Sequence, residues 1–480
     1  MTDSLINKLI QNAQSDMYPF HMPGHKRQTL GDGAEQLPFA LDVTEVDGFD
    51  NLQNPRGVLK ELEEKAAVRF CAKKAFLLVN GSTCGILASV KALTQYGDKV
   101  LLARNCHKSV YNAVELCGLH PEYVMPQRAF DGKQALNFYG SVNPDSIAEV
   151  LDNNPDIPLV IITSPTYEGM CSDIARIAEI CHSHHAKLLV DEAHGAVEVL
   201  ADKSAHHSFL HFPHPAVTQG ADVVVLSLHK TFPALTQTAL LLTNDESMVS
   251  GLRHSINVFQ TSSPSYILMA STESCLHSLS DSDAYDFYWQ RLQRFYREAN
   301  ELKRLKILFQ KNCNVHDSGK IIISTTKTAL TGYALAALLR KNYLIETEMA
   351  APDYVLAYTS VADTDDGFQR LLTALKQIDC LCDACGTRDC FPFIAKVPNR
   401  LFVPCERNHY KTVSVPINES QGRVAAETVM AYPPGSPCLT AGEVISGEII
   451  AYIKQIKALG GELLFDSFAH DSELINVADL

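Results

Sequence analysis

Val223-Val224-Val225-Leu226-Ser227-Leu228-His229-Lys230 decides the reading of this chain. A short run of β-branched and aliphatic residues reads as a buried strand. Thr231-Phe232-Pro233 breaks it just past a lysine. Lysine is seldom fully buried, so one delivered by a core strand either snorkels to solvent or serves as a scaffolded nucleophile. Thirty-nine residues before Lys230, Asp191 closes a second apolar strand in Leu188-Leu189-Val190-Asp191-Glu192-Ala193-His194-Gly195. A lysine for an aldehyde and a carboxylate for a pyridinium nitrogen are what pyridoxal phosphate asks of a protein.

Outward from that pair, strands alternate with helices between residues 75 and 230. The run 75–79 reads as a strand that enters Asn80-Gly81-Ser82-Thr83-Cys84-Gly85-Ile86 and opens a helix. Such a turn offers free N–H groups and two hydroxyls to a phosphate. Ordinary N-capping by Ser82 or Thr83 would leave the same pattern. After the strand 99–103, His107 stands before a helix at 110–116, where it either stacks on a flat cofactor or serves the loop. The strand 159–162 ends in Thr163-Ser164-Pro165-Thr166-Tyr167-Glu168-Gly169, and a helix at 174–182 leads to the Asp191 strand. This alternation predicts an α/β fold with a mainly parallel, doubly wound sheet. Ser82, Thr83, His107, Ser164, Asp191 and Lys230 all fall just past strand carboxyl ends, where open α/β sheets bind ligands.

The 480 residues exceed one hydrophobic core. The expected division is a helical arm at 1–16, a large domain at 17–310 and a small α+β region at 311–480, with a linker around 378–400. A formal charge of −14 argues against a nucleic-acid partner. No stretch reaches membrane-spanning length or has the form of a signal peptide. Fourteen cysteines without such a signal point to reduced thiols in the cytoplasm. Cys380, Cys382, Cys385 and Cys390 lack a second pair at zinc-site spacing, so no metal is expected. A long helix at 282–305, strands at 320–324, 354–358 and 424–432, and helices within 443–459 complete the prediction. The stiff loop Tyr18-Pro19-Phe20-His21-Met22-Pro23-Gly24-His25-Lys26 is irregular, and its two histidines have no assigned role.

With these residues in view, the chain resembles the Orn/Lys/Arg decarboxylases, pyridoxal-phosphate enzymes of fold type I (the aspartate-aminotransferase architecture). The likeness rests on His21-Met22-Pro23-Gly24-His25-Lys26, Gly81-Ser82-Thr83, Ser164-Pro165-Thr166-Tyr167, Asp191-Glu192-Ala193-His194-Gly195, Ser227-Leu228-His229-Lys230, Thr261-Ser262-Ser263-Pro264 and Tyr432-Pro433-Pro434-Gly435, in that order over nearly the whole length. It implies that Lys230 carries the cofactor, Asp191 pairs with the pyridinium nitrogen and His107 stacks on the ring. It implies that Ser82, Thr83, Ser227 and His229 hold the phosphate and that Ser164, Ala193 and His194 line the cofactor. Thr261 and Ser262 would reach the cofactor of a second subunit in a homodimer, and Glu419 would meet the distal cation of the substrate. His229 would also serve as a proton donor.

The activity so implied is decarboxylation of arginine, lysine or ornithine, arginine first, giving agmatine, cadaverine or putrescine for polyamine metabolism. Another fold-type-I activity, an aminotransferase or carbon–sulfur lyase, would use the same lysine and aspartate. The long bacterial members carry an additional receiver-like domain, for which sixteen leading residues are too few, so ring assemblies that depend on it are not expected. Val197 stands where the family often has a second histidine.

Overall fold

The computed structural model describes residues 4–28, 36–131, 134–200, 212–280, 282–309, 316–383, 393–432, 435–466 and 473–480. Helix α1 (Leu5–Gln14) is N-capped by Ser4, whose hydroxyl accepts from Asn7 N–H, and it buries Leu5 and Leu9. It is pinned where Ile6 N–H donates to Glu273 at 3.1 Å. Helix α2 (Val58–Arg69) leads into β1 (Lys74–Leu78), and α3 (Gly81–Leu93) follows directly. Gly85 lets α3 lie close on the sheet, since a Cβ there would sit 2.7 Å from Leu78 and 2.8 Å from Val225.

The strands β2 (Lys99–Ala103) and β3 (His120–Val124) flank α4 (Lys108–Leu116). A hairpin of β4 (Arg128–Asp131) and β5 (Gln134–Tyr139) comes next, then α5 (Pro144–Asn153), β6 (Leu159–Thr163), α6 (Ile174–Ser183) and β7 (Lys187–Asp191). The sheet is completed by β8 (Val223–Ser227) and β9 (Ala239–Thr243). Its order is β1-β9-β8-β7-β6-β2-β3. All neighbours from β8 to β3 run parallel, while β9 is antiparallel to both β8 and β1. The sheet is therefore mixed but mainly parallel. A strand buried on both faces reads as an unbroken apolar run, and every residue of β6, β8 and β9 is buried. No crossover helix separates β8 from β9, so the chain returns antiparallel. That reversal is absent from the sequence-based expectation.

Helices α7 (Val249–Phe259), α8 (Tyr266–Ser278) and α9 (Ser282–Ala299) lead out of the sheet. The last was expected to reach residue 305. Instead the N–H groups of Lys303, Arg304 and Leu305 donate to the Asp379 carboxylate, which draws the chain out of the helix. A four-stranded antiparallel sheet then forms in the order β10-β11-β13-β12, from β10 (Lys306–Ile307), β11 (Lys320–Ser324), β12 (Met349–Ala350) and β13 (Tyr354–Tyr358). Helix α10 (Gly332–Tyr343) lies between β11 and β12 in sequence.

The start of the expected 378–400 linker is instead the end of a helix, α11 (Asp365–Leu381). Thr364 caps it, and Phe368, Leu371, Leu375 and Ile378 form its buried face. Residues 384–392 of that stretch, with Cys385 and Cys390, lie outside the described residues. Of the other two cysteines, Cys380 is exposed, and Cys382 is buried and donates to Asp379 O at 3.6 Å.

A separate core surrounds Ile449, Ile453, Ile475 and Val477 in the C-terminal part. Here β14 (Lys411–Pro416) pairs with β18 (Leu474–Asp479), and β15 (Val429–Tyr432) lies between β16 (Pro437–Leu439) and β17 (Glu462–Phe465) beside α12 (Gly447–Ala458). The predicted strand 424–432 is shorter because the chain changes partners: Val424 and Ala425 bridge Val444 and Val477, and pairing to β17 begins only at Val429. Arg104, just past β2, makes a fully buried ion pair with Glu443 at 2.8 Å and joins this unit to the large sheet. No described helix is long and apolar enough to cross a membrane.

Candidate active site

The strand ends of the large sheet open into a cavity lined by Ser82, Asn105, His107, Thr163, Asp191, Ala193, His194 and Lys230. It continues past Thr166, Tyr167 and Glu168 to Tyr333, Tyr354, Ile394 and Tyr452. Lysine and aspartate, widely separated in sequence, thus face one space.

Asp191 ends β7, is 2% exposed, and accepts a hydrogen bond from Ala193 N–H at 3.2 Å. Burial raises its carboxyl pKa above the usual range, while the Lys230 charge and the Ala193 N–H pull it back down. Burial lowers the pKa of the Lys230 amine, helped by the Lys320 charge and opposed by Asp191 and Glu348. A lysine so placed gives up its proton more readily than one in water.

Lys230 Nζ lies 2.8 Å from His194 Nε2. His194 Nδ1 lies 2.9 Å from the Tyr358 hydroxyl, which donates to Tyr167 O at 2.6 Å. The hydroxyl has one proton, and the carbonyl takes it. His194 therefore carries its proton on Nδ1, and Nε2 accepts from Lys230. Burial holds the imidazole neutral, its pKa well below the ordinary value, with the Lys230 charge acting the same way. Tyr167 packs on the His194 ring at 4.7 Å, and its hydroxyl donates to Glu348. Lys320, 1% exposed, donates to His194 O at 2.8 Å and pairs with Asp317 at 2.5 Å, which fixes the histidine backbone.

His107 caps α4, its Nδ1 accepting from Ser109 N–H, and lines the cavity with its ring. Burial first, then the Lys230 and Lys108 charges, push its pKa down to about 4. Its loop is held from the C-terminal unit, since Lys108 N–H donates to Gly435 O at 3.1 Å and Ser436 Oγ donates to Asn105 O at 2.8 Å.

At the phosphate end, α3 begins at Asn80 without a side-chain cap, so capping by Ser82 or Thr83 is not what holds this turn. The Asn80 amide oxygen instead accepts from Thr261 N–H at 3.1 Å. Ser82 reaches the cavity, whereas Thr83 is exposed and does not line it. Ser227 ends β8 with a fully buried hydroxyl that has no hydrogen-bond partner. Ser227 does not line the cavity, but buried polar groups are normally paired, and an orphan hydroxyl and an uncapped helix start each suit an anion.

Several expected residues stand elsewhere. Ser164 is buried beside the cavity, its Oγ accepting from Ser172 N–H at 3.1 Å. His229 is half-buried, with Nδ1 3.2 Å from Thr238 O, and does not line the cavity. The imidazole at Lys230 Nζ is that of His194. Thr261 and Ser262 are exposed, and so is Glu419 at the end of a short 3-10 turn; none lines the cavity of this chain. His25 pairs with Asp42 at 3.3 Å and stacks on Phe39, which gives it a structural place. Sequence reasoning missed Tyr358, Tyr354 and Lys320, although Tyr354 and Tyr358 share one strand face at even spacing. Among the described residues no group of three or more His, Cys, Asp or Glu is placed to hold a metal ion.

A sequence model of the Orn/Lys/Arg decarboxylase major domain matches residues 4–327, and one of that family's C-terminal domain matches residues 398–471. The chain is 29% identical to an arginine decarboxylase of Halalkalibacterium halodurans, over 95% of this chain and 94% of that one. It is 31% identical to the uncharacterized protein YaaO of Bacillus subtilis, again over 95% and 94%. In structure it is similar to the Francisella novicida lysine decarboxylase LdcF, with a TM-score of 0.81 at 18% identity, over 99% of this chain and 81% of that one. A serine palmitoyltransferase of Sphingomonas wittichii matches with a TM-score of 0.53 at 16% identity, over 70% of this chain and 82% of that one. The fold is fold type I.

Proposed function

Because the chain belongs to the Orn/Lys/Arg decarboxylase family, we propose that it is a pyridoxal-phosphate enzyme that removes the α-carboxylate of arginine, lysine or ornithine. The observation that carries this is the cavity itself: Lys230 and Asp191 line it together at the carboxyl edge of one sheet. Relatives named arginine decarboxylase make arginine the first substrate to try.

The residues present fit the cofactor. Lys230 would hold its aldehyde, Asp191 its ring nitrogen, and Ser82, Ser227 and the first N–H groups of α3 its phosphate. Pyridoxal phosphate, when bound, supplies an electron sink for the pair left by the departing CO2. Asp191 would face the ring nitrogen in a water-poor site, where a carboxylate paired with a cation acts more strongly than in water. His194 orients the Lys230 amine through its Nε2 lone pair, and the Tyr358 hydroxyl keeps that lone pair available. Neutral His107 offers a flat face without adding positive charge beside the ring. The Lys230 amine, lining the cavity and held by His194, would also be the group placed to deliver a proton to the substrate carbon.

The active unit in this reading is a homodimer. Support comes from the exposed Thr261-Ser262-Ser263 turn and from a run of exposed apolar side chains at Met17, Tyr18, Phe20 and Met22. Such a patch is typical of a protein contact. The free thiols of the described cysteines support a reducing, cytoplasmic setting.

The test is to incubate the cofactor-loaded protein separately with arginine, lysine and ornithine and identify the amine by mass. Agmatine, cadaverine or putrescine with CO2 is the expected product. A yellow protein that converts none of the three overturns the decarboxylase reading in favour of an aminotransferase or carbon–sulfur lyase on the same scaffold.

A further inference from the structure

The reading above leaves one buried acid of the cavity without work. Glu168 is 6% exposed and lines the same cavity as Lys230. Its Oε1 accepts from the Tyr354 hydroxyl at 2.9 Å and its Oε2 from Thr166 Oγ1 at 3.2 Å. Both partners are neutral. The cation nearest in effect is Lys320, and its ammonium already donates to Asp317 and to His194 O. Burial raises the Glu168 carboxyl pKa, and its hydrogen bonds and Lys320 only oppose that rise.

A buried carboxylate with no cation in direct contact is costly unless something charged arrives to pair with it. The surrounding wall suits such an arrival. Tyr333, Tyr354 and Tyr452 bring aromatic rings to this end, and Met349 and Ile394 bring apolar surface. Apolar walls accommodate a methylene chain, and aromatic faces favour a cation at its tip. Glu419, the acid implied by resemblance, is exposed and lines no part of this cavity.

We propose that Glu168 receives the distal ammonium or guanidinium of the substrate, so that the cavity selects amino acids with a positive end. The identity of the substrate rests on the decarboxylase reading, but binding at Glu168 requires no turnover.

The test measures equilibrium binding of agmatine, cadaverine, putrescine and n-pentylamine to the cofactor-loaded protein and to its Glu168→Gln variant. The wild type should bind at least one of the first three about tenfold or more tighter than n-pentylamine, which lacks the second charge. Loss of a charge-assisted contact predicts that Glu168→Gln weakens that ligand about ten- to a hundredfold and leaves n-pentylamine little changed. Tyr354→Phe, which removes a neutral donor and keeps the charge, should cost only a few-fold and serves where the glutamine variant folds poorly. In turnover, Glu168→Gln should raise KM for the basic substrate more than it lowers kcat. A wild type without preference for the doubly charged amines overturns the inference, as does a folded Glu168→Gln protein with wild-type affinities. Preference for those amines without CO2 release would sink the decarboxylase reading and leave Glu168 in its role.

Discussion

At one end of the cavity, Asp191 ends a strand of the large sheet, and Ser82, His107 and Lys230 stand just beyond other strands of the same sheet. At the other, Glu168, Tyr333, Tyr354 and Tyr452 come from a loop, a helix, an antiparallel strand and a C-terminal helix. The first end is assembled by one rule, that parallel strands align their carboxyl ends. The second is assembled by tertiary packing among three sheets. The first fits chemistry shared by many fold-type-I enzymes, and the second fits the choice of substrate.

The largest effect should come from the first end. Lys230→Ala should abolish both turnover and the cofactor's bound visible absorbance, measured on the same sample. Retention of either would show that the common chemistry is not anchored there. Asp191→Asn should keep the cofactor bound and lower kcat by about 10²–10³-fold, the cost of losing one preorganised electrostatic partner. Single-turnover kinetics check it, and a variant as fast as wild type removes the aspartate from the chemistry.

The neutrality of His107 sharpens the contrast through pH. Its pKa is pushed from the ordinary 6.5 down to about 4, so the unfolded state binds more protons in that window. Its contribution to stability is therefore complete above pH 6.5 and falls as pH drops toward 4, by up to about 3 kcal/mol. Urea midpoints of wild type and His107→Gln should converge or cross as pH is lowered through that range; parallel curves would contradict the burial of a neutral imidazole. The smallest effect is expected from Tyr358→Phe, which lies between the two ends. It leaves His194 Nδ1–H without its acceptor and should cost about 1–2 kcal/mol of stability, with roughly a tenfold fall in kcat. The pH profile of kcat should shift with it, because the hydroxyl sets the tautomer facing Lys230.

The same contrast explains what was legible. Strand ends announce themselves locally, because an apolar run followed by a polar residue needs only neighbouring sequence to be read. Val223–Ser227 and Lys187–Asp191 are such runs, and the structure places both as expected. The strand β9 and its direction are both absent from the sequence-based expectation: Ala239-Leu240-Leu241-Leu242-Thr243 is an almost wholly apolar run, and nothing in such a run marks it as antiparallel. Tyr354 and Tyr358 were seen only as strand residues, since nothing nearby in sequence says that one faces Glu168 and the other His194. Helix α11 carries the spacing of a buried face in Phe368, Leu371, Leu375 and Ile378, whereas the cysteines from 380 onward read as a linker and blur where it ends. His229 is adjacent to Lys230 in sequence, whereas the imidazole that meets the amine lies thirty-six residues away.

The buried pairing of Arg104 with Glu443 bears on modularity. Removing one partner of such a pair leaves a bare charge in the interior, at about 3–5 kcal/mol. Gly435 and Ser436 also hold the loop that presents His107. The C-terminal unit is thus a keystone, not an appendage. A gene fragment ending after the large sheet would encode a chain with an orphan guanidinium at its heart, so shuffling this family by exchanging C-terminal pieces must carry the arginine and its glutamate together.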